Sequence, residues 1–182
     1  MAARNDQVSL FGTDETQVFA AQGITDAACV FCAILRGEKK ATLIDESERL
    51  MSFLDHRPLF HGHVLLIPKI HIQLMSELPT DRVQEFFIEA QRLEQAVEVG
   101  LEAEGSMILI NNVVSQSVPH LHLHVIPRRK KDGLRFWLGP RHPYDTEHTA
   151  ELYADKIRSA LASVYAQRSN EATTRQGPTF RA

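Results

Sequence analysis

Residues 120–126 read His-Leu-His-Leu-His-Val-Ile, a strict alternation of imidazole and aliphatic side chains. Successive side chains of a β-strand point to opposite faces of the sheet. The pattern therefore predicts a strand over Leu121–Ile126, ended by Pro127, whose aliphatic side chains enter a core. The three imidazoles share the other face, where two residues of rise space them by roughly 6.5–7 Å.

A row of three imidazoles on one strand face has three interpretations. The first is a solvated face, but such faces usually carry Thr, Lys or Glu. The second is a metal site, because His-x-His on a strand supplies a ligand pair. The third is a catalytic row, in which one ring attacks while its neighbours orient it and handle the proton. Alternation alone leaves the metal and the catalytic interpretations open.

Short apolar runs upstream predict three further strands. Residues 42–54 have the pattern of two short strands around a polar turn, Asp45–Arg49. His63–Ile67 is a compact apolar run that ends at Pro68, which has no amide hydrogen for a sheet ladder. We expect this run to be a buried strand.

Thr80–Glu104 has the strongest helical pattern in the chain. Thr80 can cap its start and Gly105 can stop it. Apolar residues recur at three- and four-residue steps and predict one buried stripe. They are Val83, Phe86, Phe87, Ala90, Leu93, Val97 and Leu101. Because the strand Met107–Ile110 follows, strands before and after one long helix predict an α+β fold built on an antiparallel sheet.

Pattern and composition divide the chain into four parts. Residues 1–25 are mixed and polar, and we expect an N-terminal extension there. Residues 26–146 form the main domain. Residues 147–167 contain a second amphipathic helix, Thr149–Gln167, which we expect to pack on that domain. The polar tail over residues 168–182 is predicted to be disordered.

Charge and composition exclude several classes of protein. The formal net charge is only -3 over 182 residues, which argues against a general nucleic-acid binder and a polybasic membrane surface. No apolar run approaches the roughly 20 residues of a membrane span. Residues 1–15 lack the basic start and apolar stretch of a secretory signal. We therefore predict a cytoplasmic protein without a nucleic-acid or membrane partner.

The chain has two cysteines, Cys29 and Cys32. Two thiols this close make a poor disulfide framework, and a C-x-x-C pair has the spacing of half a tetrahedral zinc site. The alternative is a pair of small buried residues with free thiols. A redox C-x-x-C is a weaker alternative because the βαβ context is absent.

Residues 116–128 extend the histidine row on both sides and resemble the signature of the histidine triad (HIT) family, His-φ-His-φ-His-φ-φ with φ hydrophobic. The preceding Gln-x-Val and the following Pro-Arg resemble it too. Three upstream blocks are similar to the family in the correct order: residues 29–38, 53–55 and 62–71. The resemblance covers residues 27–130 and implies a HIT-like fold.

The resemblance implies a catalytic role for all three histidines of the row. The middle one, His122, is the family's nucleophile, which attacks the α-phosphorus of a nucleotide and forms a nucleotidyl-histidine that water hydrolyses. Neutral imidazole suits this role because its ordinary pKa is about 6.5. His124 assists the leaving group, and His120 completes the set.

The resemblance also implies contacts to a purine nucleotide substrate. The residues are Asp55, Asn111, Asn112, Gln116, Ser117 and Val118. Asp55 occupies the position that contacts the ribose hydroxyls. Gln116 and the two amides after it can stabilise the non-bridging phosphate oxygens. The loop before Gln116 is shorter than in better-known members, so the choice between Asn111 and Asn112 for a further phosphate contact stays open.

Some bacterial members of the family hold a zinc ion, and the resemblance implies its ligands here. Cys29, Cys32, His71 and His120 would form a structural Cys2His2 site. If zinc takes His120, that ring is no longer free as a hydrogen-bonding partner in catalysis. We also expect that Mg²⁺ can accompany a polyphosphate substrate.

Residues 57–64 are similar to the dinucleoside polyphosphate hydrolase branch, which predicts cleavage of a substrate such as diadenosine tetraphosphate. Nucleoside phosphoramidate hydrolysis and nucleotidyl transfer or phosphorolysis are alternatives within the family. A non-catalytic nucleotide-binding protein and a metalloenzyme that uses the histidine row as ligands are alternatives outside this chemistry. Members of the family commonly pair into one continuous sheet, so we expect a homodimer.

Overall fold

The computed structural model describes residues 26–134, 143–147 and 149–160. The predicted extension over residues 1–25 and the predicted tail over residues 168–182 lie outside the described residues. The chain divides into two compact units after Asp132, and each is described by itself.

The first unit is an α+β domain with one five-stranded antiparallel sheet, as the sequence predicts. Its elements are α1 (Val30–Leu35), β1 (Leu43–Glu46), β2 (Leu50–Leu54), β3 (Val64–Pro68), a 3-10 helix (Met75–Glu77), α2 (Thr80–Leu101), β4 (Gly105–Ile110) and β5 (Leu123–Arg128). The strand order is β1-β2-β3-β5-β4, so the histidine-bearing β5 lies between β3 and β4.

Apolar layers cover both faces of this sheet. On one face Leu121, Leu123 and Val125 are fully buried and belong to a cluster with four residues of α2, as the alternation predicts. On the other face a second cluster joins Phe31 of α1 to residues of β2 and β3. The imidazoles lie on this second side. His122 is only 2% exposed, so a solvated histidine face is excluded.

The histidine segment enters the sheet two residues later than predicted. The predicted strand was Leu121–Ile126, whereas β5 is Leu123–Arg128. Before Leu123 the ladder gives way to other contacts, because the amide of Leu121 donates to the carbonyl of Ile72 at 2.6 Å. Pro127 does not end the strand. β3 begins opposite Val125, so Pro127 has only β4 beside it.

Helix α2 ends three residues earlier than predicted, at Leu101. Glu102 follows in the left-handed region at φ 51°, and the guanidinium of Arg129 donates to the carbonyls of both residues at 2.6 and 2.7 Å. Those bonds satisfy carbonyls that the helix leaves open, so Gly105 is free to start β4. Thr80 was predicted as the N-cap but is the first helical residue, and Pro79 is the N-cap.

The buried stripe of α2 is narrower than the sequence predicts. Its buried residues are Phe86, Ala90, Leu93 and Val97. Phe87 and Leu101 are 44% and 40% exposed, because a straight helix on a sheet buries only one face. None of the helices in the described part of the chain combines the length and the hydropathy of a membrane span.

The described part of the second unit contains a helix over residues 150–160. The hydroxyl of Thr149 accepts the amide hydrogen of Leu152 at 3.2 Å, an ordinary N-cap. Leu152 and Ile157 on this helix are 42% and 66% exposed. Residues 161–167 of the predicted helix lie outside the described residues, and its packing on the domain stays a prediction.

Candidate active site

His122 is buried and held in one tautomer by the backbone. Its Nδ1 lies 2.6 Å from the carbonyl oxygen of His120. A carbonyl only accepts, so Nδ1 carries the hydrogen and Nε2 keeps a lone pair. Burial lowers the pKa of His122, which keeps the ring neutral at neutral pH. The residue is therefore an oriented neutral imidazole with its lone pair on Nε2.

A chain of hydrogen bonds sets the tautomer of His124. The amide of Leu59 donates to Nδ1 of His63 at 3.3 Å, so the ring hydrogen of His63 is on Nε2. That nitrogen donates to Nδ1 of His124 at 2.9 Å. The hydrogen of His124 therefore lies on Nε2, the one buried side-chain nitrogen or oxygen without a partner among the described residues. A neutral donor is left for a ligand.

The rings of these histidines are in contact. Ring centroids are 4.8 Å apart for His122 and His124, and 5.1 Å apart for His63 and His124. Burial, and then the neighbouring rings of His122 and His63, lower the pKa of His124 to about 4. The site therefore holds neutral imidazoles at physiological pH.

His63 begins a predicted strand, and no motif in the sequence gives it a chemical role. The signal that finds it is the register of β3 and β5, in which Leu65 lies opposite His124. His63 is two residues before Leu65, so it shares that face as the diagonal neighbour of His124. Sequence periodicity predicts each strand but not this register.

Asp55 lies beside the histidine cluster. Its Oδ2 is 3.7 Å from Nδ1 of His63, and its Oδ1 accepts the amide hydrogen of Arg57 at 2.8 Å. It therefore caps a turn and also lines the site. Its contact to a ribose stays a prediction.

Two of the predicted substrate-binding amides are engaged within the protein. Oδ1 of Asn112 accepts the amide hydrogen of Met75 at 2.9 Å. Nε2 of Gln116 donates to the carbonyl of Gln73 at 2.7 Å. Asn111 is half-buried, and its side chain has no hydrogen bond within the described residues. The two asparagines therefore differ: the side chain of Asn112 is hydrogen-bonded within the protein, whereas that of Asn111 has no such bond among the described residues.

The two residues after Gln116 differ in exposure. Ser117 is exposed, whereas Val118 packs against the second apolar cluster. The amide of His120 donates to the carbonyl of Val118 at 2.8 Å, which ties this end of the loop to the histidine segment.

Cys29, Cys32, His71 and His120 come together in one cluster, with possible ligand atoms all within 4.8 Å of one another. Nδ1 of His120 is 3.5 Å and 3.7 Å from the two sulfurs, and Nδ1 of His71 is 3.3 Å from Sγ of Cys32. Ligands of one tetrahedral zinc, bound at about 2.0–2.3 Å, lie about 3.3–3.8 Å apart. The donor set and its spacing fit zinc.

Two further contacts orient the imidazoles of this cluster. Nε2 of His120 donates to the carbonyl of Pro68 at 2.9 Å, so its Nδ1 lone pair faces the sulfurs. Nε2 of His71 lies 3.8 Å from the carboxylate of Asp26. Such outer partners are typical of metal-binding histidines. Burial raises the pKa of the Cys32 thiol to about 11, so a cation would be needed to hold its thiolate.

His120 was predicted both as a zinc ligand and as a hydrogen-bonding partner in catalysis, and it has separate contacts for these two roles. Its ring faces the cysteines, and its backbone carbonyl orients His122. The ring of Phe31 contacts both imidazoles edge-on, at centroid distances of 5.8 and 5.4 Å. Among the described residues, the possible metal-ligand groups do not bring the three histidines of the row together, which disfavours the metalloenzyme interpretation.

The HIT domain model matches residues 36–131, more than half of the chain. The chain belongs to the HIT domain family. The match begins nine residues after the resemblance found from the motifs, ends one residue after it, and contains the histidine row.

HIT relatives with named activities are similar over most of the chain. The adenylylsulfatase HINT3 of Arabidopsis thaliana is 31% identical over 141 residues, which are 75% of this chain and 71% of the relative. The adenosine 5'-monophosphoramidase HNT1 of Candida albicans is 31% identical over 145 residues, 76% and 94% of the two chains. Both names describe hydrolases of nucleotides.

A solved HIT structure is similar in fold and has a metal in its description. The zinc-bound histidine triad protein of Mycobacterium smegmatis is 38% identical and superposes with a TM-score of 0.56. The match covers 77% of this chain and 97% of that one. The α+β prediction is thus confirmed by a family structure.

Proposed function

We propose that this HIT protein is a nucleotidyl hydrolase that transfers a nucleoside monophosphate group to Nε2 of His122 and then to water. The observation that carries the proposal is that, among the described residues, the Nε2 lone pair of His122 and the Nε2–H of His124 have no hydrogen-bond partner, while the two ring centroids are 4.8 Å apart. One nitrogen can attack phosphorus while the other donates to the group that leaves.

In the first step Nε2 of His122 attacks the α-phosphorus. A bond forms from Nε2 to phosphorus, and the bond from phosphorus to the leaving group breaks. The leaving group takes the electron pair and accepts a hydrogen bond from Nε2 of His124. Sulfate leaves as the anion, whereas the nitrogen of a phosphoramidate also takes one proton from solvent and leaves as ammonia. The carbonyl of His120 remains bonded to the Nδ1 hydrogen and stabilises the positive charge that the ring acquires.

In the second step water attacks the same phosphorus. The bond from Nε2 to phosphorus breaks, and its electron pair returns to His122 as a neutral ring. The water loses one proton to solvent as the nucleoside monophosphate forms. Two displacements at one phosphorus predict net retention of its configuration.

The relatives favour substrates with a small leaving group. Two of them are named for the hydrolysis of adenylyl sulfate and of adenosine phosphoramidate. We therefore place adenosine derivatives of this class first. Residues 57–64 predicted hydrolysis of diadenosine tetraphosphate, but neither of these relatives is named for it. Diadenosine tetraphosphate therefore serves as the comparison substrate.

We infer that zinc binds to Cys29, Cys32, His71 and His120. The donor spacing supports it, and a similar protein is described as zinc-bound. The ion would supply structural cross-linking by joining α1 to the segment before the nucleophile. The other possible ligand group among the described residues contains two histidines and one carboxylate, which suits Mg²⁺ poorly. We therefore propose no protein site for Mg²⁺.

We further propose a cytoplasmic homodimer. β4 is an edge of the sheet, and apolar side chains on α2 and β4 are exposed. They are Phe87, Ile88, Val99, Leu101 and Ile108. Pairing of two such edges would cover them. The two unpaired cysteines agree with a reducing compartment.

A substrate panel tests the proposed activity. We expect kcat/KM for adenosine phosphoramidate or adenylyl sulfate to exceed that for diadenosine tetraphosphate by at least about tenfold. His122→Asn should lose at least about 10⁴-fold in kcat. His61→Asn, at an exposed histidine nearby, is the matched control and should keep full activity. An active His122→Asn variant would refute the nucleophile, and binding without turnover on any substrate would point to a non-catalytic protein.

A further inference from the structure

The loop between β4 and the histidine segment is fastened to the segment that follows His71. Two hydrogen bonds cross between them, from Gln116 Nε2 to Gln73 O at 2.7 Å and from Met75 N to Asn112 Oδ1 at 2.9 Å. A third bond joins the adjoining histidine segment to the same stretch, from Leu121 N to Ile72 O at 2.6 Å. We call residues 111–118 the amide loop. Its position relative to the histidines therefore depends on these bonds.

The amide group of Gln116 is held at both ends. Its Oε1 accepts the amide hydrogen of Val113 at 3.1 Å, while one hydrogen of Nε2 goes to Gln73. A carboxamide nitrogen carries two hydrogens, so one donor remains for a ligand oxygen. Because both ends are engaged, that donor has a fixed direction, as a group that stabilises phosphate oxygens requires.

The backbone of the amide loop is strained just beside Asn112. Val113 lies in the left-handed region at φ 66°, and the amide of Val114 donates to the carbonyl of Asn112 at 2.8 Å across it. A β-branched residue rarely adopts such a turn, which persists only where neighbouring contacts hold it. Val113 and Val114 are 70% and 78% exposed, so their packing contributes little. The bond from Met75 to Asn112 is at the start of this turn.

We propose that Asn112 is a positioning residue that acts as an acceptor, which leaves Asn111 for the substrate contact that the family resemblance implies. The bond from the Met75 amide to Oδ1 of Asn112 stabilises the strained turn. This turn then places the amide of Val113, which donates to Oε1 of Gln116 and orients its side chain. Asn111, half-buried and without a side-chain partner among the described residues, keeps its donors for the ligand. This inference rests on the proposed nucleotidyl transfer and divides the roles of two adjacent asparagines.

Substitutions that separate acceptor from donor test the assignment. Asn112→Asp keeps an oxygen for the Met75 amide, whereas Asn112→Ala removes it. We expect Asn112→Ala to lower kcat about tenfold through misplacement of the loop. Asn112→Asp should restore kcat to within about threefold of wild type. Asn111→Asp should lose more than Asn112→Ala, because it places a negative charge where a donor faces phosphate.

Hydrogen exchange in the ligand-free protein gives a second measurement. We expect the Met75 amide to exchange slowly in wild type and Asn112→Asp and faster in Asn112→Ala, with the melting temperature nearly unchanged. Ser76→Ala, exposed on the same segment, is the control for both measurements.

Two outcomes would overturn the assignment. If Asn112→Asp is as inactive as Asn111→Asp, Asn112 contacts substrate as a donor. If Asn112→Ala keeps wild-type kcat or leaves exchange at Met75 unchanged, Asn112 does not hold the loop. A wild-type protein that hydrolyses no nucleotide contradicts the proposed function instead, and the exchange measurement still decides whether Asn112 holds the loop.

Discussion

Nδ1 of His122 donates its hydrogen to the backbone carbonyl of His120 at 2.6 Å, and this one bond leaves the lone pair of the ring on Nε2. The ring of His120 meanwhile faces the sulfurs of Cys29 and Cys32. One residue thus connects the cysteine–histidine cluster to the proposed nucleophile through its own side chain and backbone. The relationship leads to predictions on the tautomers, the pH profile and the metal.

His63 should matter for kcat although it is not part of the histidine row. His63→Phe removes the Nε2 hydrogen that determines the tautomer of His124, and we expect kcat to fall about 10- to 100-fold. His63→Gln offers an amide hydrogen at a similar position and should recover part of the loss. Steady-state kinetics with adenosine phosphoramidate measures both. Equal losses in the two variants would argue against the hydrogen-bond chain.

The pH profile should have its acid limb below the ordinary histidine range. Burial lowers the pKa of His122, and it lowers the pKa of His124 to about 4, from an ordinary 6.5. Protonation of Nε2 removes the attacking lone pair, so kcat/KM should stay level as pH falls through 6.5 and decline only at lower pH. Assays from pH about 4 to about 8 check this. An acid limb at or above pH 6.5 would contradict neutral buried rings.

Much of the fold follows from the sequence because periodicity reports which side chains are buried. The alternation around Leu123 predicts a two-faced strand, and the apolar steps of α2 predict a helix over that face. Element ends are harder to predict, since they depend on distant partners. The guanidinium of Arg129 donates to a carbonyl at the end of α2. The amide of Leu121 donates to the carbonyl of Ile72 instead of to a neighbouring strand.

The part of the site that local sequence spacing can indicate was predicted, and the part that depends on distant contacts was not. Motifs indicate His122 and the cysteine pair, because their spacing is local. The contact of His63 with His124 joins residues 61 positions apart and depends on strand register. The bond from Met75 to Asn112 joins two loops, for which no periodic pattern exists. These contacts need the three-dimensional arrangement.

Removal of the metal should destabilise the protein and make the position of His122 less well defined. We expect one zinc ion per chain by elemental analysis and none in Cys32→Ser. The variant should have a lower melting temperature and slower labelling of His122, because the ring of His120 loses its anchor. A chelator should do the same to wild type. Zinc-free protein with unchanged stability would contradict the inferred site.

Phe31 should support both the core and the catalytic rings. It contacts Phe53, His120 and His122 edge-on at 5.4–5.8 Å. Phe31→Ala should lower the free energy of unfolding by about 3–5 kcal/mol and reduce kcat as well. Urea denaturation measures the loss. Ile44→Ala, at a 46% exposed site on β1, should cost less than about 1 kcal/mol, and equal costs would refute the packing role.

Trapping the covalent intermediate tests the central claim most directly. Wild-type protein mixed with an adenylyl substrate is quenched at neutral pH during turnover, and the labelled peptide is mapped by mass spectrometry and by nitrogen–phosphorus coupling in NMR. We predict one adenylyl group on Nε2 of His122, absent from His122→Asn and present in His61→Asn. A label on another residue, or rapid turnover without any label, would contradict His122 as the nucleophile.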